Sequence, residues 1–169
     1  ISFVWLMWVS IWIVDFSTQS GKILGLASNL SVAEIVRLTN EERLKASLSI
    51  LTIDKRLTAA AEKKAEEMIA MGYWDHESPA KKPPWNFILN EGYDYHFAGE
   101  NLAKDFLEAD ELMTAWLTSD SHRENIINEN YSDIGVAILE GKLNDEDTVL
   151  IVQMFAKPFG IADYKTISE

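Results

Sequence analysis

Cysteine is absent from this 169-residue chain, which excludes disulfides, thiolate metal sites and a cysteine nucleophile. Basic residues are scarce: 15 Lys and Arg stand against 27 Asp and Glu, a formal net charge of −12. Nucleic-acid binding depends on neutralising phosphates with Lys and Arg, so this balance argues against it. An anionic membrane surface would repel the body of the chain for the same reason. Divalent cations and cationic partners remain compatible. Histidine is rarer still, with three in the chain, so the surroundings of each one matter.

No charge interrupts residues 1–14, where Trp5, Trp8 and Trp12 sit among Ile, Val, Leu, Met and Phe. As a helix this run spans roughly 21 Å, short of the roughly 30 Å hydrocarbon core. Three readings compete: the tail of a membrane helix, a signal-peptide remnant, or an apolar element packed on the domain. The first is the expectation, because the run is apolar on every face and begins with Ile1, as if inside a longer precursor. The chain then divides into an apolar segment at 1–16, a polar linker at 17–30, one domain at 31–158 and a tail at 159–169. A hydrophobic content of 47% marks that domain as one that folds on a single core.

Within the domain, Ser31-Val-Ala-Glu34 fits a capping box, in which Ser and Glu side chains each satisfy an orphan backbone N–H. The helix it opens should run to about Ala46, with Ile35, Leu38 and Leu44 inward. A second helix over 55–71 shows Leu57, Ala60, Ala61, Lys64, Ala65, Met68 and Ile69 at three-and-four spacing, closed by Gly72. Lys64 is the exception on that face, expected to snorkel. Pro83-Pro84 starts a short third helix ending by Gly92, and a fourth begins near Glu108 with Leu112, Met113 and Trp116 on one face. Beyond Arg123 the period changes to two. Ile134, Val136 and Ile138 alternate, Thr148 to Phe155 is rich in β-branched residues, and the residues between, 140–147, read as a hairpin loop. With a further strand through Phe97 to Ala103, four helical segments and antiparallel strands give an α+β layered domain.

Chemistry gathers in three polar clusters: Asp75-His-Glu-Ser-Pro79, Gly99-Glu-Asn-Leu-Ala103 and Trp116-Leu-Thr-Ser-Asp-Ser-His-Arg123. Catalytic zinc sites use three protein ligands and keep one position open. His76, His122 and Glu100 satisfy that count, although they come from separate segments with no local spacing to read. Taken singly, His76 reads as a loop histidine bonded to a nearby carboxylate, and His122 as a helix-end residue facing the helix dipole. His96 lies four residues before Glu100 and is expected to make a structural hydrogen bond. Ser78, Ser119 and Ser121 lie near the histidines, but no Gly-x-Ser-x-Gly elbow is present, so a serine hydrolase is disfavoured. The acidic loop 144–147 lacks the EF-hand pattern.

In this order the clusters resemble the CAP superfamily, the SCP domain of cysteine-rich secretory, antigen-five and pathogenesis-related proteins. The resemblance runs from about Ile35 to Pro158. It rests on Thr39-Asn-Glu-Glu-Arg43, Tyr73-Trp-Asp-His76, Gly99-Glu-Asn-Leu-Ala103, Ser119-Asp-Ser-His-Arg-Glu-Asn-Ile126, Ile134-Gly-Val136 and Val152-Gln-Met-Phe155. It is strongest to the cysteine-free bacterial branch, whose members are often exported or membrane-attached. The resemblance implies a three-layer α-β-α sandwich, with a small antiparallel sheet between helical layers and a cleft. The cleft of the family carries two histidines and two glutamates, and can hold a divalent metal, often zinc. By motif these map to His76, His122 and Glu100, while the second glutamate falls on Ser119, with Asp120 and Glu124 as neighbouring candidates.

The expectation is thus a secreted or cell-envelope domain, extracellular and attached to a membrane through residues 1–16. Its cleft would bind Zn2+, another divalent cation, or a small polar ligand. The alternatives are a metal-assisted hydrolase of peptide or cell-wall polymer with Glu100 as general base, and a lipid-binding module. Family members share no one reaction, so the fold alone does not supply one.

Overall fold

Three strands of alternating side chains dictate the centre of the molecule. In the computed structural model, which describes residues 30–160, β3 (Asp133–Leu143) and β4 (Glu146–Pro158) pair antiparallel along their whole length. On the far side of β4 lies β2 (Tyr95–Lys104), also antiparallel, and a two-residue β1 (Thr52–Ile53) pairs parallel with the start of β3. The order across the sheet is β1-β3-β4-β2. The sheet is therefore mixed rather than purely antiparallel, a consequence of β1, which is too short to show a period in sequence.

Each face of this sheet is covered. Ile134, Val136, Ile151 and Phe155 point to α1 (Val32–Lys45), α4 (Ala109–Thr118) and α5 (Asp120–Ile126), and form one core with Ile35, Leu112, Trp116 and Ile126. Ala137, Leu150, Val152 and Met154 point the other way, to α2 (Lys55–Met71) and α3 (Trp85–Asn90), where Leu57, Ala60, Ala61, Met68 and Ile88 complete the second core. Period-two alternation in the strands thus gives two cores and the α-β-α sandwich. The helix α2 crosses β3 so closely that a Cβ on Gly135 would fall 2.1 Å from the Leu57 carbonyl carbon. Only glycine allows that approach.

Several local expectations are corrected. Ser31 caps α1 by accepting from the Glu34 amide at 3.2 Å, but the Glu34 carboxylate turns out to Arg37, so the capping box is one-sided. Leu44 lies exposed on the outer side of α1. The loop expected at 140–147 is mostly strand. Its turn is only Asn144 and Asp145, both at positive φ of 54° and 70°, the backbone that a two-residue hairpin turn requires and that these residue types tolerate. A fifth helix, α5, follows α4 after a single residue, Ser119. Among the described residues no helix is long and apolar enough to cross a membrane. The apolar segment at 1–16 lies outside the described residues, as do nearly all of the linker and tail.

Candidate functional site

The outer edge of β2 carries the site. Glu100 points to the α2 side of the sheet and its neighbour Asn101 to the α5 side, so one dipeptide addresses both layers. On the first side, the loop after α2 brings His76 over the strand, and its Nδ1 lies 2.6 Å from Glu100 Oε1. The Glu100 side chain is almost wholly buried whereas the His76 ring is half exposed. Burial pushes the Glu100 carboxyl up from its usual range, and the carboxylate beside His76 raises that imidazole in turn. Glu100 Oε2 is buried without a hydrogen-bond partner. A carboxylate with one lone oxygen in a dry position favours cationic company.

On the second side, α5 carries His122. Ser119 sits at the junction of α4 and α5, and its Oγ lies 2.8 Å from His122 Nδ1. Burial lowers the His122 pKa, and the charge of His76 adds to that effect, so the two imidazoles are near enough to feel each other. Asn101 fixes the helix by donating to the His122 carbonyl at 3.2 Å. Asn125 donates to the Glu100 carbonyl on the open edge of β2 and to Asn101 Oδ1. Tyr131 donates to Asn125 Oδ1 and to the Ala98 carbonyl. The seam continues inward, from Asn101 to Gln153 and from Gln153 to Thr39 on α1. Gly99 is required beside it, because a Cβ there would fall 2.4 Å from the Tyr131 hydroxyl and 2.7 Å from Asn125 Oδ1.

These two arrangements share a design. Each imidazole has its Nδ1 engaged, His76 by a carboxylate and His122 by a hydroxyl. A histidine whose Nδ1–H donates to such a partner presents a neutral Nε2 lone pair, the form that ligates metals. A cleft of about 450 Å³ opens beside His76 and Glu100, walled by Pro83, Pro84, Trp85, Gly99 and Asn125. A wider concavity of about 580 Å³ at the β3–β4 hairpin contains no imidazole. Asp120 and Glu124 are exposed on α5 and bond to neither histidine. Among the described residues, no three His, Asp or Glu side chains are gathered tightly enough to hold an ion between them.

The remaining candidates are placed as follows. Ser78 is buried and accepts from the Lys82 amide, closing its own loop. Ser121 lies 3.4 Å from Ser119. His96, which an unbroken extended strand would put on the same face as Glu100, is instead the extra residue of a bulge in β2, and its ring stacks on Phe97 and Phe159. Trp116 is buried, its indole N–H donating to the Leu102 carbonyl. Sequence reasoning gave no site role to Asn101, Asn125 or Gln153, and it expected Lys64 to snorkel, whereas its ammonium is buried against the carbonyls of Asp75 and His76. The available signal was a polar residue at an inward position of an otherwise apolar element.

A family model described as CAP, the cysteine-rich secretory protein family, matches residues 36–155. The uncharacterized protein YkwD of Bacillus subtilis (strain 168) is 40% identical over 107 residues, 63% of this chain and 42% of its own length. This chain therefore spans under half of that relative. An extracellular protein containing a SCP domain from Bacillus anthracis str. Ames superposes with a TM-score of 0.66 at 25% identity, covering 74% of this chain and 39% of that one. An outer surface protein from Borrelia burgdorferi does so with a TM-score of 0.65 at 26% identity, covering 74% and 90%. With the family model matched over residues 36–155 and the sheet covered by helices on both faces, the chain belongs to the CAP family of cysteine-rich secretory proteins.

Proposed function

We propose that this CAP domain works outside the cytoplasm, at the cell envelope or beyond it, and binds a divalent cation, zinc foremost, through His76 and His122. The observation that carries the reading is the 2.6 Å bond between His76 Nδ1 and the buried Glu100 carboxylate. That bond selects the tautomer with an open Nε2 and makes the ring more basic as a ligand. The Glu100 Oε2, buried without a hydrogen-bond partner, keeps the acceptor end of the carboxylate directly behind the ring. Imidazole nitrogens suit zinc among the divalent ions. The envelope setting is supported by relatives whose names place them outside the cell or on its surface.

The donor set fits a weakly held, largely hydrated ion. His76 and His122 would hold it, and Glu100 would orient His76 from behind. When bound, such an ion supplies Lewis acidity to whatever occupies the cleft. Binding is favoured over turnover because Glu100 Oε1 is engaged by His76 and Oε2 is closed off from solvent. A general base must reach the proton it removes. A second reading, a small polar ligand in the cleft, draws on the wall of Pro83, Pro84 and Trp85 beside Glu100.

Calorimetry with zinc at neutral pH tests the first reading. The chain should bind one ion with modest affinity, His122→Ala should abolish binding, and His96→Ala should leave it nearly intact. No heat with the unaltered chain, or equal losses in both variants, would remove the metal from the account.

A further inference from the structure

Lys64 is the anomaly of α2. It lies at 0% exposure on the inward face of the helix, where sequence alone suggests a snorkelling lysine. Its ammonium has three protons, and all three have acceptors. Nζ lies 2.7 Å from the Asp75 carbonyl, 2.7 Å from the His76 carbonyl and 3.2 Å from the Tyr73 hydroxyl. Tyr73 passes the contact on, donating to Glu67 one turn further along the same helix. The charge also sits over the rings of Tyr73 and Phe87. A buried lysine is costly unless so satisfied.

We propose that Lys64 is a positioning residue of the site: by binding the backbone on both sides of the His76 Cα, it holds the loop so that the imidazole meets Glu100. Residues 73–84 have no regular secondary structure; bonds such as Ser78 with Lys82 close the loop on itself, and among the described residues the hydrogen bonds that tie His76 to the body are those of its ring to Glu100 and of its carbonyl to Lys64. The ammonium is spent on the loop and not on Glu100, where a direct bond would neutralise the carboxylate and weaken its hold on the His76 ring. With its three donors spent on the loop, Lys64 lends Glu100 charge compensation from a distance and leaves Oε1 to the imidazole. The proposal rests on reading His76 as a ligand-bearing ring, yet its test does not need an ion.

The test is nitrogen-15 NMR of the histidine rings in the full chain without metal, followed by zinc calorimetry. In the unaltered chain the His76 Nδ1-bound proton should be downfield and slow to exchange. In Lys64→Met, which keeps the length and removes the donors, that signature should vanish while the His122 ring is unchanged. Zinc affinity should fall about ten-fold, the lower end of the effect of losing support to a ligand. An unaltered His76 signature in Lys64→Met overturns the proposal, whatever zinc does. Absence of zinc binding in the unaltered chain would instead overturn the metal reading and leave the ring signature to decide Lys64. Lys64→Gln, able to reach one carbonyl, should weaken the signature without erasing it. If neither variant folds, Lys64 is a residue of the core and the assignment fails.

Discussion

Ser119 Oγ lies 2.8 Å from His122 Nδ1, at the single residue that separates α4 from α5. The hydroxyl of that residue would ordinarily cap the following helix, but here it makes no capping bond and faces the imidazole three positions on. The position onto which the resemblance maps a second glutamate thus faces the histidine with a neutral hydroxyl.

Ser119→Glu should therefore restore a carboxylate partner to His122. The expected outcome is tighter zinc binding, by about ten-fold on the scale of a metal ligand's supporting partner, and an imidazole raised instead of lowered. Ser119→Ala should weaken binding several-fold and change global stability little. Paired calorimetric titrations of the two variants check this, and the same affinity in both would show that the hydroxyl has no part in orienting the ring.

Arg43 should prove the most sensitive residue outside the cleft. Its guanidinium is buried and donates to the carbonyls of Ser49, Ile126, Asn128 and Tyr131, closing the end of α5 and the loop that follows. Arg43→Met fills similar volume but strands several buried acceptors, so it should cost about 3 kcal/mol or more in denaturant unfolding. A loss under about 1 kcal/mol would mean that water replaces the guanidinium freely.

The strands and the main helices were legible because their periods are clean. The 55–71 helix shows its inward residues at every turn and stops at Gly72, which takes φ of 65° as a helix-ending glycine should. The elements that were not legible are those that tertiary contact decides. The strand β1 exists only because β3 lends it two residues, and α5 is a seven-residue helix broken from α4 at Ser119. The histidines and Glu100 were legible as types in clusters, and the pairing of His76 with Glu100 accords with the hydrogen-bonded reading of that loop histidine. The supporting groups were not. Lys64 and Gln153 look like misplaced polar residues until the carbonyls and amides they serve are brought alongside.

Gly99→Ala should separate the site from the fold. A Cβ at that position meets the Tyr131 hydroxyl at 2.4 Å, Tyr131 Cζ at 2.8 Å and Asn125 Oδ1 at 2.7 Å, so the buried Tyr131 ring and the Asn125 amide must both give way. The global cost should be about 1–3 kcal/mol, as for other overpacked positions. The shift, however, falls on the residues that hold α5 and His122 against β2. Zinc affinity should drop by more than in Ser119→Ala, and a crystal structure of the variant should show Asn125 displaced from the Glu100 carbonyl. Unchanged affinity would show that His122 is placed by something other than this seam.

Acidity offers the last test, because the apo and zinc-bound proteins should respond to it in opposite directions. The His76 pKa is raised in the folded chain by Glu100. A base with a raised folded pKa adds stability that is fully present below its unfolded value of about 6.5 and is lost as pH rises through the folded value. Without metal, the wild type should therefore gain on His76→Gln at mildly acidic pH, and the gap between their melting temperatures should close as pH rises through the raised His76 value. Zinc must displace the proton from the same imidazoles, so its stabilisation should grow across that interval. Thermal melts of both proteins across this window, with zinc and with a chelator, measure both trends. A gap that widens with pH in chelator would contradict the carboxylate-held imidazole. Zinc stabilisation that does not change with pH would mean that the ion binds through groups other than these two rings.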